Sequence, residues 1–223
     1  MTSSLVGSDM CIRDRYGDRL YYDGNTQIAE VRMNVRMENR NTTLLTDSLN
    51  YDRVYNLGYF FDGGTLMDEQ NVLTSEWGQY NPGTKQSVFN YNVKLVNPQF
   101  TLTSDTLEYN TASKIANIVG PSDILSDNNH IYSEKGTYNT VTGKAYLLDR
   151  SVLTNEGKQL TGDSLFYDRN EGLGEAFRNM VLTDTVNKNM MTGEYGYYNE
   201  KKKYAFATDK AVAVDYSQGD SLF

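Results

Sequence analysis

Cysteine and histidine are almost missing. The 223-residue chain has one of each, Cys11 and His130. A disulfide within the chain is therefore excluded, and so is a Cys/His zinc site. A Ser–His–Asp triad would have to use His130. Proline is scarce, with three residues, and no apolar run approaches the roughly 18 residues that read as a membrane span. Basic residues are the minority, 21 against 29 acidic, for a net charge of −8. That balance lacks the basic footprint of a nucleic-acid binder, so no nucleic-acid partner is expected. What is plentiful is glycine and tyrosine, 18 of each, the mark of a turn-rich β protein.

Met1 to Arg15 reads unlike the rest. Ser4 to Arg15 resembles translated sequencing-adapter read-through, with Asp9 where that string has Glu. We expect residues 1–15 to be an artefactual, disordered leader and set them aside. Cys11 falls within it.

From Tyr16 onward a repeat organises the chain. Anchor tyrosines stand at Tyr22, Tyr51, Tyr80, Tyr109, Tyr138, Tyr167 and Tyr198, spaced 29 residues apart five times and then 31. Four residues before each is an acid: Asp18, Asp47, Glu76, Asp105, Glu134, Asp163 and Glu194. Directly after each is Asp or Asn, from Asp23 to Asn199, and seven after is a small residue: Ala29, Gly58, Ser87, Ala116, Ala145, Gly174 and Ala205. Apolar columns lie nine after (Phe60, Phe89, Ile118, Leu147), fifteen after (Leu66, Leu95, Ile124, Leu153) and seven before (Leu102, Ile131, Leu160). Asp220 to Phe223 matches Asp163 to Phe166, where another unit would begin. We therefore expect residues 16–223 to be one repeat domain truncated at both ends.

A 29-residue unit is too short to bury its own apolar columns, so units must stack. No segment has helical spacing or a helix cap. Two or three strands per unit are expected, with equivalent residues about 4.8 Å apart. The Asp or Asn after each anchor predicts a turn, because its side chain bonds its own backbone. The tyrosines are expected to form an aromatic ladder with hydroxyls at a wet rim.

Gly162-Asp163-Ser-Leu-Phe-Tyr167-Asp168, followed by Gly174 and then Asn179-Met180-Val181-Leu182, resembles the OstA-like domain of the LptA/OstA lipopolysaccharide-transport family. The resemblance covers Tyr16 to Phe223 and is to a divergent branch, since the Gly-Asn element is degenerate in most units. It implies an all-β fold, an open β-jellyroll or "β-taco" of stacked repeats around an apolar slot. It implies a periplasmic or outer-membrane-associated module that carries lipopolysaccharide or another acylated lipid without catalysis. Its partners would be other jellyroll transport proteins, or copies of itself, joined through edge strands. No cofactor is implied. The slot-lining candidates are Phe60, Leu66, Phe89, Leu95, Leu102, Leu107, Ile118, Ile124, Ile131, Leu147, Leu153, Leu160 and Leu165.

Other readings use other features. The acidic column could ladder calcium, but the Gly-rich nonapeptides of such solenoids are missing; a solvated face or bonds to neighbouring groups explain it as well. A carbohydrate-active enzyme would need two carboxylates converging in a cleft. His130 reads as an exposed turn residue, and Lys201-Lys202-Lys203 as a solvated loop tip. The main alternative is a structural or adhesive β-solenoid whose columns make a closed core without a lipid ligand.

Overall fold

The computed structural model describes residues 14–126, 128–149, 151–217 and 221–222. Most of the expected leader lies outside the described residues, and so do Asp220 and Phe223. Among the described residues there are strands and turns but no helix. The chain divides into two compact units, one of residues up to Pro98 with Thr103–Lys114, the other of Gln99–Leu102 with everything from Ile115.

The first unit contains β1 (Asp14–Tyr16), β2 (Arg19–Asp23), β3 (Ile28–Asn39), β4 (Thr42–Asp52), β5 (Leu57–Phe60), β6 (Gly64–Asp68), β7 (Asn71–Ser75), β8 (Trp77–Asn81), β9 (Gln86–Asn97) and most of β10 (Phe100–Asn110). Two antiparallel ladders run side by side through it. In the first, β2, the start of β3, the end of β4, β5, β8 and the start of β9 pair in that order. In the second, β1, the end of β3, the start of β4, β6, β7 and the end of β9 do the same. Asp14 and Arg15, assigned to the disordered leader from sequence, instead pair with Glu38 and Met37. A strand edge recruits backbone whatever its side chains, which is why composition did not reveal this.

The second unit contains β11 (Ile115–Ile118), β12 (Ser122–Ser126), β13 (Asn129–Ser133), β14 (Lys135–Asn139), β15 (Lys144–Leu148), β16 (Val152–Asn155), β17 (Lys158–Thr161), β18 (Ser164–Asp168), β19 (Leu173–Asp184), β20 (Asn189–Asn199), β21 (Tyr204–Thr208), β22 (Val212–Asp215) and β23 (Ser221–Leu222). Here β11, β14, β15, β18, the start of β19, the end of β20 and β21 form one ladder. The other is β12, β13, β16, β17, the end of β19, the start of β20, β22 and β23.

Each period thus supplies either two long strands, within the expectation, or four short ones, beyond the two or three expected. The difference arises where the chain crosses between ladders. Long strands cross through a bulge, marked by register shifts at Arg32/Val35 and Phe177/Met180. The two intervening residues there adopt left-handed backbone, as in Met33 and Asn34 (φ 60 and 53) or Arg178 and Asn179 (φ 59 and 50). Elsewhere Gly63, at φ 81, or Pro121 interrupts the strand instead.

The column after the anchors does what its chemistry predicts. Asp52 Oδ1 accepts from the amides of Val54 (2.8 Å) and Tyr55 (3.1 Å), and Asn110 Oδ1 from Ala112 (2.9 Å) and Ser113 (2.8 Å). Each turn ends on a left-handed residue, among them Lys85 (φ 66), Lys114 (φ 60), Gly143 (φ 69) and Gly172 (φ 60). At Gly143 a Cβ would also meet the Arg169 side chain at 3.0 Å. Gly143→Ala is expected to lower stability by about 1–2 kcal/mol, read as a shifted denaturation midpoint at constant m-value.

Candidate functional site

The interior is built by alternation. Along β12, Ser122, Ile124 and Ser126 point inward while Asp123 and Leu125 point out. The thirteen candidate residues are buried in full, none more than 3% exposed. In the first unit Leu66 pairs with Leu73, which pairs with Leu95. In the second, Ile124, Ile131, Leu153, Leu160 and Leu182 pair in unbroken succession across the ladder. Leu147 pairs with Leu165 on the other ladder. Gly78 pairs with both Phe60 and Phe89, whose ring centroids lie 6.5 Å apart. A Cβ there would fall 2.5 Å from the Phe60 ring, so glycine makes the room the two rings need.

The small column serves the opposite ladder. A Cβ on Gly174 would lie 2.8 Å from Leu153 Cδ2 and 3.1 Å from Leu160 Cδ2. Gly58 stands in the same relation to Met37, at 3.5 Å. Within each unit the two ladders therefore lie face to face, and the open slot expected from sequence is a filled interior. Large apolar side chains that meet across two ladders close the space because contact removes their surface from water.

The tyrosines also depart from expectation. Tyr51, Tyr80, Tyr109, Tyr138, Tyr167 and Tyr198 are at most 7% exposed, so the column is not a wet rim. Nor are its members ladder neighbours: Tyr51 pairs with Gly58, Gly58 with Tyr80, and Tyr80 with Ser87, and the second unit follows the same order from Ala116 to Ala205. Buried hydroxyls need partners: Tyr51 bonds Asn56 and Tyr138 bonds Arg169, while Tyr80, Tyr109 and Tyr198 are served by a polar column that the sequence reading missed. It holds Asn39, Asp68, Asn155 and Asp184, two residues beyond Met37, Leu66, Leu153 and Leu182. The same period carries it, so repeat alignment could have found it.

Asn39 Nδ2 donates to Tyr80 Oη at 3.4 Å and to the Pro82 carbonyl at 3.3 Å. Tyr109 Oη donates to Asp68 Oδ2 at 2.8 Å and accepts from Asn71 Nδ2 at 2.9 Å. Lys114 Nζ lies 2.8 Å from both Asp68 oxygens. In the second unit Tyr198 Oη donates to Asn155 Oδ1 at 3.3 Å, and Arg169 Nη1 donates to Tyr138 Oη at 2.7 Å.

Burial pushes the Tyr138 hydroxyl up to about 12, with the Arg169 charge and hydrogen bond pulling the other way. Burial also raises Tyr198 and Tyr167. An unfolded tyrosine ionises near pH 10. The fold therefore favours the neutral form: its contribution is intact below about pH 10 and is lost as pH rises through the folded value near 12. In an alkaline titration followed at 295 nm, ionisation of Tyr138, Tyr167 and Tyr198 should be held back beyond the unfolded value near pH 10. It should come together with loss of the β-sheet circular dichroism. All tyrosines ionising near 10 with the sheet intact would contradict this.

The acidic column lies at the crossings between ladders. Asp163 Oδ1 accepts from Asn179 Nδ2 at 3.0 Å, Asp47 Oδ1 from the Asn34 amide at 3.0 Å, and Asp18 Oδ2 from Asn34 Nδ2 at 2.7 Å. Glu194 meets Lys210 Nζ at 2.9 Å. These carboxylates hold the left-handed bulge residues. Among the described residues no group of three or more potential metal ligands occurs. His130 is in strand β13 rather than in a turn, with Nε2 2.6 Å from Asp123 Oδ1. Lys201, Lys202 and Lys203 form the expected exposed turn.

The family model of OstA-like proteins matches residues 11–105 and 101–163. No curated protein matches the chain. Among solved structures, the chain is similar to LptH, the LptA homologous periplasmic component of the conserved lipopolysaccharide transport device from Pseudomonas aeruginosa. The identity is 16%, the TM-score 0.41, and the match covers 45% of this chain and 76% of that one.

Proposed function

This chain belongs to the OstA-like protein family, and on that premise we propose that it is a periplasmic, non-enzymatic module of lipopolysaccharide transport that shields acyl chains between its two ladders. The observation that carries the reading is the unbroken apolar column along one ladder of each unit, Ile124 through Leu182 in the second and Leu66 through Leu95 in the first, turned toward the opposite ladder. Acyl chains would separate the ladders in the manner of an open β-taco and replace the contacts that Gly174 makes possible with Leu153 and Leu160. The slot-lining residues are the thirteen candidates named from sequence. Binding rests on apolar contact, because a chain at −8 offers no overall attraction to an anionic lipid. Repeat modules of this kind join partners, or copies of themselves, by strand addition.

The complete burial of the candidates favours a second reading, a structural β-solenoid with a closed core. Photocrosslinkers placed at Leu107 and Ile118, in protein made by cells that synthesise lipopolysaccharide, separate the two. Acyl-lipid adducts and co-purified lipid in the mass spectrum are expected for the carrier. A lipid-free protein with no adduct from either position points to the closed solenoid.

A further inference from the structure

The two ladders of each unit are joined differently on their two sides. On one side they are covalently continuous, since β3, β4, β19 and β20 run through both. The anchors lie at the opposite end of the first ladder: in β4, Thr42 to Thr46 pair in the second ladder and Ser48 to Asp52 in the first, which puts Tyr51 far from the crossing. Asn39, Asp68 and Asn155 lie at the corresponding far end of the second ladder. The bonds between these ends therefore close the side that has no covalent link.

They also recur in register. Asn39 to Tyr80 and Asp68 to Tyr109 each span 41 residues, and Asn155 to Tyr198 spans 43, the extra two matching the longer last period. Each polar residue thus meets the tyrosine of a later unit at a fixed offset. Two of these bonds are long, at 3.4 and 3.3 Å, beyond the usual range for strong hydrogen bonds. Asn39 Oδ1 is buried there without a partner, a cost that opening to water would remove.

We propose that the tyrosine–Asn/Asp line is a latch, and that the interior opens to an acyl chain sideways along it rather than at the crossings. The inference rests on the acyl-carrier reading. Opening at the crossings would require backbone pairing to break. Opening at the latch exposes side-chain hydroxyls, amides and the Asp68–Lys114 pair, which water solvates, and apolar columns, which the entering chain covers. Asp68 with Lys114 is the firm point of the line; the bonds at Asn39 and Asn155 are the weak ones.

The test measures stopped-flow uptake of a fluorescent acyl probe, cis-parinaric acid, by the full chain. The latch variant is Tyr80→Phe/Tyr109→Phe/Tyr198→Phe, which keeps every ring and removes three hydroxyls. Asn179→Ala, at a crossing, is the control. The latch variant should take up probe about tenfold faster or more, because each lost neutral bond raises the open population several-fold, while the control keeps the wild-type rate. Should the triple variant be poorly folded, Tyr80→Phe alone should still raise the rate about threefold. Uptake at equal rates in wild type and latch variants overturns the latch and leaves the carrier reading standing. Faster uptake in Asn179→Ala alone places the opening at the crossings and also overturns it. A folded wild type that takes up no probe removes the carrier reading itself, and the latch with it.

Discussion

Asp68→Ala is expected to destabilise the protein by about 3–5 kcal/mol. Asp68 is 1% exposed and is the meeting point of three donors: Lys114 Nζ, Tyr109 Oη and Thr42 Oγ1. Removing the carboxylate strands an ammonium whose side chain is only 15% exposed, beside a buried hydroxyl. An uncompensated buried charge costs more than the intact pair contributes, so the loss exceeds the worth of any one of the bonds. Glu69, 3.3 Å from Lys114, keeps the effect toward the lower end. Urea denaturation should show a lower midpoint. The double variant Asp68→Ala/Lys114→Met should recover most of the loss, because it removes the stranded charge along with its partner. A single-variant loss below about 1 kcal/mol would mean that the pair is solvated in solution.

Two neighbours on one strand should behave oppositely. Ile124→Ala is expected to cost about 2–5 kcal/mol, and Leu125→Ala to stay within about 0.5 kcal/mol of wild type. Ile124 is 1% exposed and lies against Ile131; Leu125 is 52% exposed and pairs with His130. Successive side chains on a strand point to opposite faces, so one position in sequence is the difference between the interior and solvent. Deleting Ile124 removes apolar burial and leaves a cavity between ladders that strand pairing holds in place. Equal losses at the two positions would show that β12 is paired in a shifted register.

Hydrophobicity does not distinguish Ile124 from Leu125, but the period does. Ile124 stands fifteen residues after Tyr109, in the column of Leu66, Leu95 and Leu153, and Leu125 belongs to no column. The same reasoning marked eleven of the thirteen interior candidates, all but Leu107 and Leu165, and all thirteen are buried. The turns were legible for a local reason, since the Asx side chain and the amides it captures are two or three residues apart. Strand count was not, because the sequence reading did not use the position twelve after each anchor: Asn34, Asn92 and Asn179 stand there where a long strand bulges through, and Gly63, Pro121 and Lys210 where the strand breaks.

The tyrosine column shows where sequence stops. Its spacing put the anchors in one column, though on alternate strands rather than stacked directly, and its chemistry required that each hydroxyl find water or a polar partner. Nothing in the spacing said which. The partners at Asn39, Asp68 and Asn155 lie 41 to 43 residues away, on the other ladder. A repeat fixes which residues share a column, because stacking is a relation between neighbouring units. Which columns face one another depends on how far the chain turns at each crossing, and that angle is set by backbone conformation and by packing across the interior. The sequence alone therefore determined the columns and their apolar character; only the tertiary structure decided that they form two ladders whose faces meet, and which polar residues the buried tyrosines meet.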